Sequence, residues 1–186
     1  MRSNNIWNST MQNGLIMGIF FSASFLFSVS GIFILGFLSF LLPAIILIFA
    51  YKFLIRYRDR DCGGAITYGH GLSYIILLFF FASVISAAVK FVYLRFINPE
   101  FLQETMGQSM LIVEQTFEQF KGKYPMDIDE IYKSFERMTD PLNYTLMATW
   151  VNIIISFFVG LVLAGIAKKD KSIFDENQEN LPQNNF

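Results

Sequence analysis

Arg56-Tyr57-Arg58-Asp59-Arg60-Asp61-Cys62-Gly63-Gly64-Ala65-Ile66-Thr67-Tyr68-Gly69-His70-Gly71 separates two long apolar blocks and carries a dense group of arginines together with the only cysteine and the only histidine of the chain. On its N-terminal side, Gly14 to Phe53 holds no charged residue except Lys52. That run is about twice the roughly 20 residues that cross a hydrocarbon core about 30 Å thick, so it makes two passes. The break is expected at Ser28-Val29-Ser30-Gly31, which gives a first membrane helix over about 13–28 and a second over 31–54. Ser28 and Ser30 also flank Val29 in the small-x-small pattern of a signal-peptide cleavage site. The long, weakly basic lead weighs toward a retained helix.

Beyond the connector, taken as 55–71, a third apolar run from Leu72 to Phe96 predicts a membrane helix over 72–97, and Tyr144 to Ala167 is the apolar core of a fourth over 142–167. The polar tail 168–186 lacks the apolar residues to fold alone. The whole chain of 186 residues therefore reads as one all-α integral membrane domain: four transmembrane helices, with an amphipathic helical hairpin at 98–140 between the third and fourth. Composition agrees, since 54% of residues are hydrophobic, 22 are Phe and only 16% are charged, against about 25% charged in soluble domains. The partner this implies first is the lipid bilayer. A net charge of −1 with the signs segregated along the chain gives no footprint for nucleic acid. One cysteine excludes an intramolecular disulfide and an all-cysteine metal site.

Charge sets the orientation. Lys and Arg gather beside membrane segments on the cytoplasmic side. With four passes the lead, the connector and the tail share one side, and they hold Arg2, Lys52, Arg56, Arg58, Arg60, Lys168, Lys169 and Lys171. The 98–143 segment carries nine carboxylates against Lys121, Lys123, Lys133 and Arg137. Both termini are thus expected in the cytoplasm and the acidic hairpin outside it. The arginines and the terminal lysines are expected to meet anionic lipid headgroups, and Gly63-Gly64 to make the turn into the third helix.

Local signals mark the helix starts. Asn98-Pro99-Glu100 and Asp140-Pro141 each combine a capping side chain with Pro at the first helical position. Leu102, Met106, Met110, Val113, Phe117 and Phe120 line one face of the first hairpin helix, and Ile128, Ile131, Tyr132, Phe135 and Met138 one face of the second. Gly122 and Pro125 part the two, with Asp127 opening the second. Pro43 removes the backbone donor that would reach the carbonyl of Ser39, so a hydroxyl or a neighbouring helix must satisfy that group.

Within the membrane, small residues recur at helical spacing. Gly14, Gly18 and Ser22 form a ridge on the first helix, and Ser156, Gly160 and Ala164 form one on the fourth, extended by Asn152, Thr149 and Thr145. Such ridges let backbones approach closely. The first and fourth helices are expected to pair through them within the chain, the alternative being contact with another subunit, and Asn152 is the expected interhelical hydrogen-bond donor. No Asp, Glu or His lies in a predicted membrane core. Lys90 sits about 27 Å from Leu72 at about 1.5 Å per residue, at the far interface, where its ammonium can snorkel.

The connector supplies no catalytic constellation. Cys62, His70, Asp59 and Asp61 include too few of the usual ligands for a closed zinc site. A Cys62–His70 nucleophile pair lacks a third orienting residue, and the glycines lack the strand and the Gly-Lys-Ser/Thr of a phosphate loop. No cofactor, metal or catalytic residue is expected.

Around the connector the chain resembles a bacterial family of small integral membrane proteins, domain of unknown function 4199. The resemblance rests on Tyr57-Arg58-Asp59, on Gly63-Gly64-Ala65-Ile66-Thr67-Tyr68-Gly69, on Phe96-Ile97-Asn98-Pro99-Glu100 and on Ala167-Lys168-Lys169. The family pattern more often has Asp where Asn98 stands, and Cys62 and His70 are not part of it. The resemblance implies a four-helix protein of the inner membrane of Gram-negative bacteria and brings no activity. The reading that follows is a non-enzymatic structural or accessory membrane component, meeting a membrane-protein partner or another copy of itself through the hairpin and the ridges. The alternative is a small carrier or channel component with Lys90, Asn152 and the Pro43-bent helix lining a path, and the third is an enzyme acting on lipid through Cys62 and His70.

Overall fold

The computed structural model describes residues 4–120 and 128–169. Arg2, residues 121–127 with the break expected at Gly122 and Pro125, and Lys171 with the rest of the tail lie outside the described residues. Those residues form six α-helices: α1 (Asn4–Val29), α2 (Phe33–Asp61), α3 (Tyr68–Val92), α4 (Phe101–Phe120), α5 (Ile128–Met138) and α6 (Pro141–Ala167), with α3 prolonged by a π turn over Tyr93–Ile97. α1, α2, α3 with its π turn, and α6 are long and apolar enough to cross a membrane. The short helices α4 and α5 lie between the third and fourth of these.

Helix ends depart from the expected boundaries in instructive ways. The polar lead is helical from Asn4, and the Thr10 hydroxyl donates to the Ile6 carbonyl at 2.7 Å. α2 does not stop at residue 54 but runs through the arginines to Asp61. Arg58 and Arg60 in its last turn suit the negative end of the helix dipole. The turn itself is Gly63 and Gly64, at φ +67° and +85°, a region where a side chain is strained. α3 then begins at Tyr68. Both capping signals are realised: Asn98 Oδ1 accepts from the Phe101 amide at 3.1 Å, and Asp140 Oδ2 from the Asn143 amide at 2.9 Å.

α3 is the hub. α1 and α6 pack chiefly on it, whereas α2 packs on α1 and touches α3 and α6 lightly. The expected pairing of α1 with α6 is corrected here, because each small-residue ridge receives α3 instead. A Cβ on Gly14 would stand 2.6 Å from the Cβ of Phe81, and one on Gly18 would stand 2.7 Å from the Cβ of Ile85. On the other side, a Cβ on Gly160 would stand 2.7 Å from Leu72 Cδ1, and Ala164 lies against Gly71. Contacts that rise together in number make α1 and α3 parallel, and contacts that run oppositely make α3 and α6 antiparallel. The ridges specify close approach, and the bulkier flanks of α3 are what they admit.

The core lies in the half of the bundle nearest the arginines, where Met17, Ala50, Phe53, Leu54, Tyr74, Ile75 and Leu78 are buried. The opposite half is looser. There the first turns of α2 are bare, with Phe33 88% and Phe40 80% exposed. α5 leans on α4 and on α6, and the Tyr132 hydroxyl donates to the Glu114 carboxylate. Leu102 and Met110 of α4 are buried, while Leu111 and Ile112 on another of its faces are exposed.

Candidate functional site

Where α2 diverges it leaves a cavity of about 680 Å³ bounded by α1, α2, α3 and α6. Its lining includes the three residues named together in the carrier or channel alternative: Lys90 of α3, Asn152 of α6 and Pro43 of α2. Ser24 and Ser28 of α1 and Ser39 of α2 add hydroxyls, and the rest is apolar, including Phe21, Phe40, Leu47, Ile155 and Val159. No carboxylate is among these lining residues.

α2 stays helical through Pro43. The Ser39 carbonyl, which Pro43 cannot serve, accepts a hydrogen bond from the Ser24 hydroxyl of α1 at 3.4 Å, and the Ser39 hydroxyl itself donates to Gly36 O at 2.7 Å. Lys90 places its ammonium over the Phe25 ring, 5.8 Å from the centroid. Phe25 in turn meets Tyr93 edge to face, which fixes this level of the bundle near the last turn of α1. Among the described residues Lys90 makes no ion pair.

Asn152 was the expected interhelical donor, and the structure corrects that too. Among the described residues its amide has no hydrogen-bond partner, and it faces the cavity. The polar residues around it are spent on their own helix: Thr145 donates to Pro141 O, Thr149 to Thr145 O and Ser156 to Ile153 O. Ser22 of the α1 ridge likewise donates to Gly18 O. On α3 the buried hydroxyls of Ser83 and Ser86 lack a partner among the described residues.

The arginine end of the bundle is tied shut. The Tyr57 ring stacks on Tyr74 at 4.5 Å and on His70 at 5.7 Å, and its hydroxyl is hydrogen-bonded to His70 Nε2 at 2.8 Å. The Tyr74 hydroxyl accepts from Asn13 Nδ2 at 2.8 Å. Three helices are thereby joined at one level, and no sequence spacing marked these residues. Arg58, expected at lipid headgroups, instead turns inward, donating through Nη1 to Ala167 O at 3.2 Å and through Nε to Asp59 at 2.8 Å. Arg56 and Arg60 are exposed and line a polar hollow with Asn8, Gln12 and Asp61. Ile66 and Lys169 exchange both backbone hydrogen bonds, at 2.9 and 3.2 Å, clipping the connector to the end of α6. Lys168 and Lys169 are exposed. Among the described residues no three of the His, Cys, Asp and Glu side chains form a metal-ligand set.

A protein family described as protein of unknown function (DUF4199) matches residues 12–169. No curated protein and no solved structure matches the chain.

Proposed function

The chain belongs to the DUF4199 family, and on that premise we propose that it is a non-enzymatic membrane component that acts by binding, with its ligand held in the cavity among α1, α2, α3 and α6. One observation carries this: Lys90, Asn152 and the Pro43 wall, on three different helices, line the same space. A largely apolar hollow with a few convergent polar groups is the usual form of a small-molecule site, and about 680 Å³ is within the usual range of about 300–1,000 Å³. The packed core beyond it, around Leu54, Ile75 and Leu78, favours a site closed at one end over an open channel. In the orientation we propose, the arginine end faces the cytoplasm, the α4–α5 hairpin lies outside, and the membrane is the bacterial inner membrane. The sequence asymmetry of Lys and Arg supports that orientation.

The test is native mass spectrometry of the full chain released from lipid nanodiscs. The wild type should retain a non-protein mass that Val159→Trp, which fills the cavity, loses while keeping its unfolding temperature. A wild type that retains nothing, or retention untouched by Val159→Trp, overturns the reading. A second reading, an accessory subunit that meets a membrane-protein partner through the hairpin, is favoured by exposed Leu111 and Ile112 on α4. Crosslinking in native membranes from cysteines placed at these two positions tests it, and recovery of monomer alone removes it.

A further inference from the structure

The cavity has polarity along its length, and that selects a class of occupant. Lys90 is near the end of α3, at the level of Phe25 and Tyr93, whereas Phe79 and Ile46 line the opposite, buried end. From Phe79 to Lys90 the helix rises about 16 Å at about 1.5 Å per residue. Between these ends the wall is mainly Phe and aliphatic side chains. A solitary cation in such surroundings is costly without a counter-charge. Among the described residues no carboxylate lines the cavity and none pairs with Lys90.

We infer that the occupant is a single-chain anionic amphiphile drawn from the bilayer, with its charged head at the Lys90 ammonium and its chain along the apolar wall toward Ile46 and Phe79. This deepens the binding reading above and rests on it. Charge complementarity places the head, since the ammonium supplies the missing partner and the Ser28 hydroxyl at the same end can donate beside it. Shape places the tail, because the mainly apolar wall runs from Lys90 to Ile46 and Phe79, where the cavity meets the packed core. A small hydrophilic anion would leave most of that wall uncovered, and a neutral chain would leave the ammonium unpaired. The route in is lateral, past the first turns of α2, where Phe33 is bare and Phe40 stands at the cavity's edge.

The experiment titrates the full-length protein in neutral alkyl-maltoside micelles with hexadecyl phosphate, hexadecanol or inorganic phosphate, and counts bound molecules by native mass spectrometry. Hexadecyl phosphate should bind the wild type and Lys90→Arg alike, and at least ten-fold more weakly to Lys90→Met. Hexadecanol should bind weakly and equally to all three, and excess inorganic phosphate should not compete. Equal binding of hexadecyl phosphate and hexadecanol to the wild type overturns the anionic head while leaving the cavity reading standing. Competition by inorganic phosphate overturns the amphiphile in favour of a soluble anion. Binding of neither chain overturns the inference, and a wild type that also carries no retained mass from nanodiscs overturns the cavity reading with it. The comparison of the two chains on the wild type decides the matter even if Lys90→Met fails to fold.

Discussion

The Ser24 hydroxyl of α1 donates to the Ser39 carbonyl of α2 at 3.4 Å, the group that Pro43 leaves without its backbone donor. An interhelical hydrogen bond of this kind is worth about 0.6 kcal/mol in a membrane. Ser24→Ala should therefore destabilise the protein by about that amount. In a Pro43→Ala background the backbone amide serves Ser39 and the cost of Ser24→Ala should vanish, a coupling that a double-mutant cycle of unfolding in mixed micelles reads directly.

Gly18→Ala forces a Cβ to 2.7 Å from the Cβ of Ile85 and 3.1 Å from the Ala82 carbonyl, so α1 must move off α3. A loss of about 1–3 kcal/mol is expected, as for other overpacked interiors. Gly107→Ala on α4 meets nothing within 4 Å and should stabilise by up to about 1 kcal/mol through helix propensity. Thermal unfolding of the pair in one detergent gives opposite signs.

Tyr74 is fully buried, stacked on Tyr57 and bonded to Asn13. Tyr74→Phe keeps the stack and removes the 2.8 Å bond from Asn13, whose amide keeps only Ser9 Oγ at 3.3 Å, which should cost about 1 kcal/mol. Tyr74→Ala also empties the core and should cost about 3–5 kcal/mol. Equal losses for the two, measured by denaturant unfolding, would show that the hydroxyl network and not the ring holds this end together.

Ser86 is fully buried, and its hydroxyl has no partner among the described residues. Ser86→Ala removes a desolvated polar group without changing the backbone, so stability should rise by about 1 kcal/mol. A fall in unfolding temperature contradicts this account of Ser86.

The orientation proposed from charge is tested by reporter fusions. A fusion after Gly122 is expected on the far side of the membrane from the cytoplasm, and one after Lys171 on the cytoplasmic side; both on the same side refutes the four-pass topology.

Local chemistry was legible in the sequence, and neighbour relations were not. The apolar runs mark the spans because bilayer thickness fixes helix length. Asn98 and Asp140 mark helix starts because a cap acts within one turn. Gly14, Gly18, Gly160 and Ala164 mark close approach, yet a small residue says nothing about what approaches it, and α3 filled both ridges. Lys90, Asn152 and the Pro43-bent helix are grouped on one path in the carrier or channel alternative, but the size of the cavity they line depends on how lightly α2 touches α3 and α6, which no spacing encodes. Tyr57 stands in the Tyr57-Arg58-Asp59 motif of the family resemblance, but neither it nor Tyr74 was marked as a packing residue. Among so many aromatic residues, two stacked tyrosines look like their neighbours until the fold places them together.

The hub position of α3 sets an order of assembly. During synthesis α1 and α2 emerge first and can dock on each other, while the face of α1 that bears Gly14 and Gly18 waits for the third helix. α6 arrives last, and only then can Gly71 and Ile75 be covered and the Ile66–Lys169 clip close. A chain that has released α1, α2 and α3 but not yet α6 is thus a three-helix intermediate with one side of its central helix uncovered. That intermediate is the species a membrane chaperone or protease would meet.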